Sequence, residues 1–136
     1  MSDQDTSPLD GWAGPLPDSW IEEHVDLEKK ILERERSMGM TPVLQGFTGH
    51  VPKSLEEVNP SIKLVELKWF NSQPTYFIDP NNPYFIEVGK LFLEEQDKLF
   101  GTNHLYASDT FIEMTPTNND TTFPKKMGVS LYQSCW

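Results

Sequence analysis

The chain has 136 residues, enough for one modest domain with a hydrophobic core. Its formal net charge of -10 disfavours a nucleic-acid partner, because phosphate backbones are bound by clustered Lys and Arg. No run approaches the roughly 20 apolar residues of a membrane span, and residues 1–8 are polar and acidic, unlike a signal peptide. We therefore expect no nucleic acid, no membrane and no signal peptide in this chain.

The first part of the chain is rich in Asp, Ser, Gly and Pro as far as Pro17, which predicts irregular backbone. We assign residues 1–10 to an irregular N-terminal segment and residues 11–136 to one domain. The single cysteine, Cys135, excludes an internal disulfide and a zinc cluster built on cysteines.

An amphipathic helix is predicted next. Ser19 and Glu22 have the spacing of a capping box, and apolar side chains then recur at steps of three and four residues as far as Leu32. Gly39 suits the left-handed position after a helix, so the helix should end near Met38.

A short, mostly apolar run at 40–47 predicts a strand that is buried on both faces. The region that follows, 48–79, contains several prolines and one possible helical turn over Ser54–Val58. It is too long for a plain connection, and insertions of this length usually carry function.

A second helix is predicted from Asn82 to Gly101, and a second strand at 104–107, with its exit at 109–113. A weaker helical pattern resumes at 123–136. The order helix, strand, helix, strand is typical of an α/β fold with a parallel sheet or barrel.

Reactive groups in parallel α/β folds gather at the carboxyl ends of strands. Two segments have that position, 47–52 with His50 and 109–114 with Glu113, and we expect both to face one cleft. Glu113 is a candidate catalytic carboxylate, although a glutamate there can equally be an exposed loop residue. His50 is a candidate ligand-binding residue or a structural hydrogen-bonding residue, and His24 is expected to pack on its helix.

We predict neither metal nor cofactor, because the histidines are far apart and no Asp-rich calcium loop is present. The loop aromatics Trp12 and Trp69 suit stacking on sugar rings, and they suit loop packing equally well.

Several segments, in order, resemble the alpha-N-acetylglucosaminidases, which form glycoside hydrolase family 89. The resemblance covers residues 11 to about 116. The matching segments are GWAGPLPDSW at 11–20, MGMTPVL at 38–44, FTGHVP at 47–52, DPNNPYF at 79–85, FGTNHLY at 100–106 and DTF at 109–111.

The resemblance implies a (β/α)8 TIM-barrel and a retaining glycosidase that removes terminal alpha-linked N-acetylglucosamine from heparan sulfate-type glycans. By the resemblance, Glu113 is the acid/base. Trp12, His50 and Trp69 are candidates for shaping the sugar site. The family implies a lysosomal or secreted location.

The same resemblance predicts that this chain is only part of the barrel, since a closed barrel takes roughly 250 residues. The family's nucleophilic glutamate belongs to a later strand, so we expect the chain alone to be inactive. Ile112 replaces the asparagine that precedes the acid/base in the family, which favours an alternative: an inactive paralogue or a weak glycan-binding remnant. Uncovered barrel surfaces also predict self-association.

Overall fold

The computed structural model describes residues 16–70, 73–111, 113–116 and 121–134. Within these residues the chain alternates helices with short strands. In chain order the elements are α1 (Asp18–Ser37), β1 (Leu44–Gln45), α2 (Ser54–Val58), β2 (Leu64–Lys68), β3 (Thr75–Ile78), α3 (Tyr84–Phe100), β4 (Tyr106–Ala107), β5 (Thr115–Pro116) and α4 (Phe123–Ser134).

Helix α1 ends where the sequence predicts and begins differently. Met38 is the C-cap, and Gly39 follows with φ 78°, which confirms the predicted end. The predicted capping box is wrong: Pro17 holds the N-cap position, and Ser19 already lies inside the first turn. Extended backbone at Pro17, with φ -67° and ψ 146°, is what starts the helix two residues earlier.

Helix α3 ends as predicted, and it begins at Tyr84 with Pro83 rather than Asn82 in the N-cap position. The side-chain oxygen of Asn82 accepts the backbone N–H of Tyr84 at 3.0 Å, and Gly101 with φ 65° ends the helix. The predicted turn at Ser54–Val58 is the short helix α2. Among the described helices, none combines the length and the apolar character that a membrane span requires.

Strands β1 and β4 pair in parallel, Leu44 with Tyr106 and Gln45 with Ala107, and α3 lies between them in the chain. This arrangement confirms the α/β class. However, β1 is much shorter than predicted and is not buried on both faces. Val43 is 57% exposed and Gln45 is exposed, whereas Pro42, Leu44 and Gly46 are buried, so only one face of this run is covered.

The insertion at 48–79 contains a sheet that the sequence reading missed. Strands β2 and β3 pair antiparallel, and β5 joins the other edge of β2, giving the order β3-β2-β5. The residue types fit this sheet, since LVELK and TYFI are rich in β-branched, aromatic and leucine side chains. The prolines and glycines around these strands predict loops instead.

The main core lies where the antiparallel sheet meets α3 and α4. Leu67, Phe77, Ile78 and Phe85 are fully buried there. The buried Ser130 hydroxyl of α4 donates to the Pro80 carbonyl at 2.8 Å and so fixes α4 near the start of α3. The other members of the core are Phe47, Val51, Ile62, Met114, Phe123 and Met127.

Gly49 allows the chain after β1 to pass against this core. Its φ is +91°, and a Cβ added there would lie 2.8 Å from a ring carbon of buried Phe85. Gly39 also has a positive φ, +78°, but a Cβ added there would meet nothing within 4 Å. A side chain at residue 39 would therefore meet backbone strain alone, whereas one at residue 49 would meet both strain and overlap with Phe85.

Replacing Gly49 by Ala should lower the free energy of unfolding by about 3 kcal/mol, since strain and overlap with Phe85 act together. Gly39→Ala, the matched control, should cost only about 1 kcal/mol. Urea denaturation followed by circular dichroism measures both. Equal losses would show that the contact with Phe85 does not limit residue 49.

Candidate active site

Glu113 and Trp69, two residues singled out from the sequence, are in direct contact. The indole Nε1–H of Trp69 donates a hydrogen bond to Oε2 of Glu113, with the two atoms 3.0 Å apart. Glu113 is exposed, whereas its neighbour Met114 is buried. The indole therefore holds one carboxylate oxygen of a side chain that is exposed to solvent.

The pairing of β5 with β2 produces this contact. Lys68 is in register with Thr115 and Leu67 with Pro116, so the antiparallel course carries Trp69 towards Met114 and Glu113. The turn that precedes β5 is closed by the Met114 N–H, which donates to the Phe111 carbonyl at 2.7 Å. Glu113 thus lies between β4, which ends the parallel pair, and β5 of the other sheet.

Met114 anchors the same segment from its buried side. Its sulfur accepts a hydrogen bond from the hydroxyl of buried Thr75 at 3.4 Å. Trp69 is packed edge-on against Phe70, with ring centroids 5.4 Å apart, and Phe70 has φ 49°. Phe70 is 77% exposed, whereas Trp69 is partly buried against the hydrophobic core, so the core restricts the movement of Trp69.

His50 lies on a different part of the same core. Its ring lies 3.7 Å from that of Phe77, centroid to centroid, and its Nδ1 is 2.9 Å from the hydroxyl of Thr48. Burial lowers the pKa of His50 to about 4, because the cation would lose its hydration. The ring is therefore neutral at neutral pH.

Phe77 links the two parts of the candidate site. Its ring also stacks on that of Phe111, with centroids 6.3 Å apart, and Phe111 begins the turn that carries Glu113. Neither of the two cavities described below includes His50, Trp69 or Glu113. Two cavities, of about 360 Å³ along α1 and 260 Å³ beside α3, are lined by other side chains.

The remaining predicted residues are placed as follows. Trp12 and Ile112 lie outside the described residues. His24 is exposed and its ring stacks on that of Trp20, so it packs on its own helix and not in the buried core. Among the described residues, no three His, Cys, Asp or Glu side chains are grouped to hold a metal ion.

The sequence does not predict the hydrogen bond between Trp69 and Glu113. The sequence predicts Trp69 as a loop aromatic, whereas the strand pairing that brings it to Glu113 depends on β2 and β5, two strands that the sequence does not predict. The signal that could have found it is the alternation in LVELK immediately before Trp69.

Comparison with known protein families identifies the family to which this chain belongs. Residues 3–136 match the model of the alpha-N-acetylglucosaminidase (NAGLU) tim-barrel domain. The chain belongs to this family. Human alpha-N-acetylglucosaminidase is 37% identical over 131 residues, which are 93% of this chain and 18% of the human protein.

Solved structures agree with this membership. A family 89 glycoside hydrolase from Clostridium perfringens, in complex with PUGNAc, has a TM-score of 0.76 and 28% identity, covering 91% of this chain and 15% of that one. A variant from the same organism with two Glu to Gln substitutions, in complex with its substrate GlcNAc-alpha-1,4-galactose, has the same TM-score and 27% identity, with the same coverage. The chain thus spans less than a fifth of these relatives.

The desolvation of His50 predicts a pH dependence of stability. Its pKa is lower in the folded chain than in the unfolded chain, so between about pH 6.5 and pH 4 the unfolded state binds more protons and stability falls as the pH falls. Because the ring is partly exposed, the expected loss is only about 1 kcal/mol.

Urea denaturation at pH 7.5 and 4.5 measures this loss, with His50→Gln as the control that keeps polarity but cannot titrate. The wild-type chain should lose about 1 kcal/mol more than the variant between the two pH values. Parallel losses in both proteins would show that His50 is not desolvated.

Proposed function

We propose that this chain is the part of a retaining alpha-N-acetylglucosaminidase that carries the general acid/base, Glu113. The observation that supports this role best is the 3.0 Å hydrogen bond from the Trp69 indole to Glu113 Oε2. A general acid must hold its carboxyl group in one position relative to the glycosidic oxygen. The indole fixes one oxygen, so the other can serve the proton transfer.

The proposed reaction has two steps. Glu113 first gives a proton to the glycosidic oxygen while a second carboxylate attacks the anomeric carbon. Glu113 then takes a proton from the water that releases the sugar, which restores both groups. Following the family resemblance, the second carboxylate comes from a later strand of the barrel, so we expect the chain alone to be inactive.

His50 and the tryptophans would contact the sugar. The neutral His50 ring has its Nδ1 beside Thr48, which leaves Nε2 to exchange a hydrogen bond with a hydroxyl or acetamido group. Trp12 and Trp69 offer flat apolar faces, which suit the apolar face of a pyranose ring. These roles rest on residue chemistry and on the family resemblance.

The proposed setting is a (β/α)8 barrel of which this chain forms part. The connection from β1 to its parallel neighbour β4 contains α3, preceded by α2, β2 and β3, and so has the connectivity of one strand-helix-strand unit with an insertion. The proposed substrates are glycans with terminal alpha-linked N-acetylglucosamine, including heparan sulfate-type chains. Their degradation would take place in a lysosomal or extracellular location, as the resemblance implies.

One sequence feature favours a second candidate function. Ile112 stands where the family has an asparagine before the acid/base. An isoleucine side chain cannot form a hydrogen bond, so a polar group of the substrate would be left unpaired, at a cost of about 1–3 kcal/mol. The alternative is therefore an inactive paralogue or a weak glycan-binding remnant.

A chimera tests the catalytic proposal. The matching segment of the clostridial family 89 enzyme is replaced by this chain, so that the rest of that enzyme supplies the missing parts. Hydrolysis of an aryl alpha-N-acetylglucosaminide should then fall about 100-fold or more on Glu113→Gln. Glu87→Gln, on the exposed side of α3, is the matched control and should leave the rate unchanged.

Ile112→Asn in the same chimera should raise kcat/KM about tenfold if the lost hydrogen bond limits activity. A folded chimera whose rate is the same with Gln at position 113 would refute the role of Glu113. Tryptophan fluorescence of the unmodified chain, titrated with N-acetylglucosamine, would identify a glycan-binding remnant by a saturable change.

A further inference from the structure

Helix α1 presents an apolar stripe that no other described element covers. Trp20, His24, Leu27 and Ile31 follow one another at steps of four, three and four residues, which places them along one side of the helix. Trp20 is 43% exposed, Leu27 51% and Ile31 42%. Leu32, which is 3% exposed, marks the body-facing side, and the stripe lies roughly 100° away from it around the helix.

The stripe forms one wall of a cavity of about 360 Å³, and Phe100 of α3 forms part of the other wall. The rings of Trp20 and His24 are stacked, with centroids 3.7 Å apart. Nδ1 of His24 also lies 2.7 Å from the carbonyl oxygen of Trp20. These contacts hold two side chains of the stripe in place before any partner arrives, which lowers the entropy cost of association.

The charges of α1 are separated along its length, and this separation makes the helix complementary to a second copy of itself. A second α1 running antiparallel would set the acidic half of one helix against the more basic half of the other, in both directions at once. The first half carries Asp18, Glu22, Glu23, Asp26 and Glu28 and no Lys or Arg; the second half carries Lys29, Lys30, Arg34 and Arg36 against Glu33 and Glu35.

We propose that α1 docks on α1 of a second copy of this chain, antiparallel and around a twofold axis near the middle of the stripe. Trp20 of each copy then lies against Ile31 of the other, and His24 lies beside Leu27. On the outer flank, Glu23 of each copy faces Lys30 of the other. Both residues are exposed, and the ion pairs among the described residues, Lys68–Glu66 and Lys98–Glu95, lie elsewhere.

The net charge of -10 opposes association of two copies. At physiological salt, exposed charges farther apart than about 8 Å are largely screened, whereas the Glu23 and Lys30 pairs at the contact are close. The charges near the contact therefore determine the orientation of the two helices. They favour the antiparallel orientation, because a parallel one would place the acidic halves of both helices against each other.

Analytical ultracentrifugation of the whole chain across a dilution series tests the proposal. The wild-type chain should dimerise reversibly. Glu23→Lys should weaken the dimer about tenfold, because two symmetric attractions become repulsions of up to about 1 kcal/mol each. Adding Lys30→Glu to Glu23→Lys should restore the affinity to nearly that of the wild type.

Glu57→Lys is the control: it makes the same change in net charge on α2 and should not weaken the dimer. Leu27→Ser should abolish the dimer, and because Leu27 is exposed, circular dichroism should show an unchanged fold. A chain that stays monomeric overturns the proposal. Equal losses of dimer affinity in Glu23→Lys and Glu57→Lys would also overturn it. The same holds if the double variant binds no more tightly than Glu23→Lys, or if Leu27→Ser leaves the assembly unchanged.

Discussion

The buried ring of Phe77 is the contact on which the rest of the structure depends. It is fully inaccessible, it belongs to β3, and it packs with the rings of both His50 and Phe111. Those two residues follow the two strands of the parallel pair. Phe77 therefore joins the antiparallel sheet to both loops from which an α/β enzyme would draw its reactive groups.

This arrangement explains why the long insertion matters. Had residues 48–79 been a plain loop, Glu113 would have followed β4 without a fixed neighbour. Instead β2 pairs with β5, and Trp69 at the end of β2 donates its indole N–H to Glu113. The insertion thus supplies a partner for the carboxylate, and Gly49 lets the chain pass closely enough for the two parts to share one core.

The helices were largely predictable because their signals are local. Gly39 and Gly101 act within one turn of the helix end that each determines, and the structure confirms both. Asn82 accepts the Tyr84 N–H at the start of α3, although Pro83 holds the N-cap position. The false capping box at Ser19 shows the limit of such signals: a capping motif can lie inside a helix when an extended residue before it starts the first turn earlier.

The strands and the site were harder, because they depend on contacts between distant residues. Glu113 and Trp69 are separated by 44 positions, and nothing local to either indicates the other. The α/β class followed from the order of elements, whereas the second sheet could not be read from its short strands. The family resemblance supplied what spacing could not, namely that a glutamate after a strand is worth testing as a catalytic group.

The most direct test of the account is the NMR resonance of the Trp69 indole N–H, assigned by its loss in Trp69→Phe. If the indole donates to Glu113, this resonance shifts as the carboxyl group titrates, and the shift disappears in Glu113→Gln. A resonance that does not respond to pH, or that responds equally in Glu113→Gln, would contradict the contact on which the proposed active site rests.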